Sequence, residues 1–174
     1  SQYEYEYSDK NITTENIDTL SNGIVIQKYE MPAGYGDGKE ILSGYVFYDK
    51  NIKDKYKPII YFPGSNALHT PKDSNMVEGF PSRVIYLIKE GYALIHPIYK
   101  STYSRQDNQR SDYGDMSDQY KEHVIMWGKD YKKSIDYIFT RKDFDSSKLS
   151  YYGVSWGGFM GNILLAIDER VKSA

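Results

Sequence analysis

A serine with a glycine two positions away on either side, Gly153-Val154-Ser155-Trp156-Gly157, followed by Gly158, is the residue pattern here best suited to chemistry. The G-x-S-x-G spacing fits a serine held on a sharp strand-to-helix turn, because side chains two positions away would collide with the strand or the helix. Such a turn lifts the hydroxyl above the end of a sheet and aims a helix N-terminus at the place where negative charge would form. The chemistry this allows is attack on a carbonyl through a covalent acyl intermediate. The resulting oxyanion would need two backbone N–H groups about 3 Å away. One is expected from Trp156, the residue after the serine, and the other from a loop following an earlier strand. FPGSNALH at 62–69 is the candidate loop, with Ser65 the expected donor and Asn66 the alternative.

A serine hydroxyl is a weak nucleophile until a base takes its proton, and the base needs a third group to orient it. The three histidines, His69, His96 and His123, all precede Ser155, whereas a site built on this turn runs serine, acid, histidine along the chain. His69 reads as a surface or loop-anchoring residue. His96, inside an apolar run before Pro97, reads as a hydrogen-bonded core residue. His123 flanks the apolar stripe of a helix. Asp168 and Glu169 follow too soon after the serine to be the usual acid. The expectation is therefore that the acid and base lie beyond residue 174. On that reading residues 57–174 are the N-terminal part of a larger domain, inactive alone and able to associate with the missing C-terminal part.

The elements that must position these residues follow from periodicity. NGIVIQKYEMP at 22–32 and KEILSGYVFYD at 39–49 predict an antiparallel hairpin around the turn-rich AGYGDG of 33–38. Gly34, Gly36 and Gly38 lead into a strand, so they read as a turn and not as a dinucleotide loop. The first twenty residues read as an edge strand or a loosely held arm. From residue 57 the pattern alternates: KPIIYF at 57–62, YALIHPIY at 92–99 and LSYYG at 149–153 are short buried strands. Between them, PSRVIYLIKEG at 81–91 predicts a helix opening near Pro81. A longer helix carries Val124, Trp127, Tyr131, Ile135 and Ile138 on one stripe, with Ser117 or Asp118 as its cap and Arg141 and Lys142 in its last turn. A third helix follows the serine over 157–170. The fold class expected is α/β: a mostly parallel sheet flanked by helices on both faces, with residues 1–56 forming an N-terminal arm and hairpin. The polar stretch 100–118 leaves the carboxyl end of a strand, where ligands bind in such sheets. Within it Tyr103 and Arg105, with Arg110, are candidates for substrate contact.

Composition narrows the alternatives. The chain has 174 residues, 22 Lys and Arg against 24 Asp and Glu, and a net charge of −2, a balance that argues against a nucleic-acid partner. Hydrophobic residues at 40% and charged ones at 26% are ordinary for a globular domain. The absence of cysteine removes disulfide scaffolds, thiolate metal sites and a cysteine nucleophile. The longest aliphatic runs fall well short of a membrane span. No metal or cofactor is called for by the serine chemistry, and the compartment is left open.

The segments PIIYFPGSNA, GYALIHPIYKSTYSR and WGKDYKKSIDYIFTRKDFDSSKLSYYGVSWGG resemble the α/β-hydrolase superfamily over roughly residues 57–174. They are most similar to bacterial esterase or dienelactone-hydrolase-like modules, and more distantly to prolyl-oligopeptidase-type domains. The resemblance implies Ser155 as nucleophile, the N–H groups of Trp156 and the Ser65 region as oxyanion hole, and hydrolysis of a small-molecule ester. Pro63-Gly64 stands where His-Gly is common, which weakens the match to the peptidases more than the mechanism. Two other readings are a serine peptidase of the same fold and an inactive hydrolase-like binding or regulatory module.

Overall fold

The computed structural model describes residues 2–6 and 11–174, the side chains of residues 75, 81 and 82 excepted. Residues 1 and 7–10 of the expected arm lie outside the described residues. Among the described residues, six strands and three α-helices follow in order: β1 (Thr13–Thr19), β2 (Ile24–Pro32), β3 (Ile41–Asp49), β4 (Lys57–Phe62), α1 (Asp73–Lys89), β5 (Tyr92–Pro97), α2 (Asp118–Thr140), β6 (Ser150–Gly153) and α3 (Trp156–Ile167).

The strands form one sheet in the order β1-β2-β3-β5-β4-β6. The expected hairpin is present, with β2 and β3 paired antiparallel from Ile24 opposite Asp49 to Pro32 opposite Ile41. β1 adds an antiparallel edge strand whose seven residues are all exposed. The sheet is mixed, however, and not mostly parallel. β3 pairs antiparallel with β5, placing Tyr45 opposite His96, and only β5, β4 and β6 run parallel. With β1, the hairpin therefore makes up half of the sheet. Its apolar alternation buries both faces of β3 (BBBBBB over 42–47), and a strand buried on both sides belongs inside a sheet.

Helices cover both faces. Alternate side chains of one strand point to opposite sides, so Ile60 and Phe62 meet α2 and α3 through Trp127, Tyr131, Ile135 and Met160. Ile59 and Tyr61 meet Met76, Phe80, Val84 and Ile88 of α1. Each such buried side chain contributes about 1.5–3 kcal/mol. α1 begins at Asp73, well before Pro81, because Met76 and Phe80 continue the buried stripe upstream. α2 is capped as expected by Ser117, whose Oγ accepts the Tyr120 N–H at 3.1 Å. Arg141 and Lys142 lie just past its end and not in its last turn. Arg141 has extended backbone (ψ 118) and forks onto the Asp143 carboxylate at 2.8 and 2.6 Å.

Candidate active site

Ser155 sits between β6 and α3 with φ 52 and ψ −107, a conformation that costs a non-glycine residue about 1–3 kcal/mol and persists only where surrounding structure enforces it. The enforcement is backbone to backbone. The N–H of Val154 donates to Phe62 O at 3.2 Å, and that of Gly157 to Pro63 O at 3.1 Å and Val154 O at 2.9 Å. The two flanking glycines have no room for a side chain. A Cβ on Gly153 would lie 2.5 Å from the Gly157 carbonyl, and one on Gly157 would lie 2.2 Å from Phe62 O. Gly158, by contrast, has its nearest neighbour at 3.9 Å, so the motif needs two glycines and not three. The serine itself is exposed.

The 62–66 segment leaves the end of β4 and lies against this turn. A Cβ on Gly64 would come within 3.7 Å of the Ser155 Cβ. Ser65–Leu68 form a single helical turn in which Ala67 donates to Gly64 O at 3.1 Å. Opening that turn, the N–H groups of Ser65 and Asn66 have no acceptor within it. At the start of α3 the Gly157 N–H is engaged, while Trp156, the first helical residue, has no acceptor inside the helix. The Trp156 ring is buried, edge-on to Phe62 at 4.9 Å and to Trp127 at 4.8 Å. Ser155, Trp156, Ser65 and Asn66 are thus brought to adjoining turns at the same end of the sheet.

Tyr103 and Arg105 are placed elsewhere. The cavity above Ser155, about 350 Å³, is lined by Asp112, Tyr113, Gly114, Ser155, Trp156 and Phe159. Tyr103 is buried with φ 46 and faces a different cavity with Tyr61, Asn66 and His96. Arg105 donates Nη1 to Asp130 Oδ2 at 2.8 Å and Ile98 O at 2.7 Å, and Nη2 to the Tyr35 hydroxyl. Arg110 donates to Leu68 O at 2.9 Å, as does Gln106. These residues anchor the 100–118 stretch, and its far end, Asp112–Gly114, reaches Ser155. Sequence reasoning missed those three; the length and starting point of the stretch pointed to it as a whole, but nothing local marks which residues fold back.

None of the three histidines lines the cavity above Ser155. His69 is exposed just after the Ser65–Leu68 turn. His96 is fully buried, with Nδ1 3.1 Å from Pro97 O and burial lowering its pKa to about 4. His123 holds Gln119 O with Nδ1 at 2.7 Å and Asp107 Oδ2 with Nε2 at 3.0 Å, so it pins the 100–118 stretch to α2. Asp168 pairs with Arg170 at 2.6 Å. Among the described residues no group of three or more His, Cys, Asp or Glu side chains is placed to hold a metal, and no helix is long and apolar enough to cross a membrane.

A scan against protein-family models finds no match, nor does a search of curated proteins. Solved structures do match. An acetyl xylan esterase from Paenibacillus sp. R4 superposes with TM-score 0.69 at 15% identity, over 94% of this chain and 52% of that one. Acetyl xylan esterase 1 from Thermoanaerobacterium sp. JW/SL YS485 gives 0.69 at 14%, over 95% and 51%. A glucuronoyl esterase from Solibacter usitatus gives 0.64 at 14%, over 97% and 52%. The chain spans about half the length of these structures. What it shares with them is their architecture, and the chain accordingly has the α/β-hydrolase fold.

Proposed function

We propose that residues 57–174 carry the nucleophile half of an esterase-type serine hydrolase, with residues 1–56 completing the sheet beside it. Ser155 Oγ attacks the ester carbonyl, and a base takes the hydroxyl proton as the new C–O bond forms. The carbonyl oxygen becomes an oxyanion held by the N–H groups of Trp156 and Ser65, with Asn66 as the alternative donor. Collapse of the tetrahedral adduct breaks the bond to the alcohol, which leaves with the proton returned by the base. Water then releases the acid by the same steps in reverse. Since no described histidine reaches Ser155, the reading assigns base and acid to a histidine and an aspartate C-terminal to residue 174, packed against this half.

The observation that carries this reading is the Ser155 backbone, held at φ 52 between two glycines that admit no Cβ. Such strain is kept where function needs it. The substrate class is a small-molecule ester, and the names of the structural neighbours put acetyl and uronoyl esters of sugars first among those to try. The test is labelling of the whole protein with a fluorophosphonate, alongside hydrolysis of para-nitrophenyl acetate. Wild-type protein is expected to label and turn over, and Ser155→Ala to do neither. Equal labelling of both proteins overturns the assignment.

A further inference from the structure

Across the 63–66 loop from Ser155, on the α1 side of the sheet, a second cavity of about 200 Å³ opens at the carboxyl ends of β4 and β5. β4 contributes Tyr61, β5 His96, α1 Phe80 and Arg83, and the 100–118 stretch Tyr103. A cavity of about 150 Å³ holds a benzene ring, so this one has room for a substituted six-membered ring.

Its buried end holds an unfinished hydrogen bond. His96 is fully buried, and its Nδ1 faces the carbonyl of Pro97. A carbonyl only accepts, so Nδ1 carries the ring proton and Nε2 is a bare lone pair. Nε2 has no partner among the described residues. An unpaired buried acceptor is unfavourable and is ordinarily satisfied by something else. Burial also keeps the imidazole neutral, with its pKa lowered to about 4, so near pH 7 the site asks for a donor and not an anion. Three rings pack on the imidazole, Tyr61 at 4.7 Å, Phe80 at 5.0 Å and Tyr103 at 5.6 Å, and all three also line the cavity, so that wall is aromatic. Arg83 of α1 also lines the cavity, exposed and without an ion pair among the described residues.

We propose that this cavity is a binding site, separate from the one above Ser155, for a small hydroxyaromatic acid. The ring lies among Tyr61, Phe80 and Tyr103, the hydroxyl donates to His96 Nε2, and the carboxylate meets Arg83 at the mouth. Nothing in this arrangement requires Ser155 to be a nucleophile.

The test is calorimetric titration of the whole protein carrying Ser155→Ala, which removes turnover, with para-hydroxybenzoate as the probe. Saturable binding is expected. Para-methoxybenzoate and benzoate, which lack the donor, and phenol, which lacks the carboxylate, are each expected to bind roughly tenfold more weakly. His96→Phe should erase the preference for the hydroxyl, and Arg83→Gln, an exposed change that leaves the core intact, should erase the preference for the carboxylate. No saturable binding, equal binding of the methoxy compound, or unchanged binding by Arg83→Gln overturns the proposal. The ligand series reads the site even if His96→Phe does not fold. Because the titration uses protein without the serine hydroxyl, its failure leaves the hydrolase reading untouched, and failed labelling leaves this one untouched.

Discussion

Two segments leave parallel strands on the same side of this molecule, and they are held in opposite ways. The turn after β6 is fixed by backbone against backbone: Val154 and Gly157 donate to Phe62 and Pro63, and two glycines give the chains room to touch. The stretch after β5 is fixed by side chains. Arg105, Asp130 and Tyr35 form one buried knot, His123 holds Asp107, and Gln106 and Arg110 reach Leu68 O. Backbone geometry is indifferent to most substitutions and intolerant of a few. A side-chain knot is sensitive at each member and can be released without disturbing the chain beneath it. The proposed hydrolase chemistry would need one atom fixed and a surround that adapts to substrate, and these two modes of attachment would supply one each.

The difference can be broken most severely at Gly157. Gly157→Ala places a methyl 2.2 Å from Phe62 O and is expected to cost more than about 4 kcal/mol in urea unfolding, whereas Gly158→Ala should stay within about 0.5 kcal/mol. If the two variants unfold alike, steric exclusion is not what fixes the turn. Next comes Asp130→Ala, which leaves Arg105 with only the more distant Glu40 carboxylate, at 3.9 Å, and should cost about 3 kcal/mol. Fluorophosphonate labelling of the fraction still folded should be retained, since Ser155 does not depend on that knot. At the loop that touches the turn, Ser65→Pro removes one N–H at the first position of a helical turn, where proline is tolerated and Gly64 (φ −73, ψ 168) already suits a following proline. Ester hydrolysis should fall about 100- to 1000-fold with little change in Tm; an unchanged rate would remove Ser65 from the mechanism.

The smallest effect is a pH dependence. His96 faces Tyr61 from β4, Arg83 from α1 and Tyr103 from the 100–118 stretch. Burial lowers its pKa from 6.5 to about 4, so between those values the unfolded chain binds the extra proton and the folded one does not. Stability is therefore complete above pH 6.5 and is lost as pH falls toward 4, by about 3 kcal/mol from this group. Relative to wild type, His96→Phe should show a flatter stability curve across that window in guanidinium unfolding. Parallel curves would mean that His96 titrates normally.

The same contrast explains what could be read in advance. The demand on Gly157 comes from Phe62, far off in the chain, but the turn at Ser155 was legible because the steric demand on Gly153 acts between residues four apart. The stripe of α2 and its Ser117 cap were legible for the same reason. The antiparallel join of β3 to β5 was not, since its register rests on contacts such as Val46 with Ile95, far apart in the chain and each satisfied equally well by a parallel neighbour. Pro81 misplaced the start of α1 because a proline favours the first turn locally, while Met76 and Phe80 are buried against the sheet and extend the helix past it. Arg105 read as a substrate contact because it is a cation in a polar stretch. Its partner Asp130 lies on a helix 25 residues away, and only the fold brings them together.

The placement of β3 in the sheet also bears on the order of assembly. β1, β2 and β3 pair with their immediate neighbours in sequence, so little chain entropy is lost in closing them. β4 and β6 can pair only after α1, β5 and α2 have been laid down between them. The meander is thus expected to form early and offer the free edge of β3 as a template for β5. The strained serine turn, which needs β4 and β6 side by side, would then be among the last features to set.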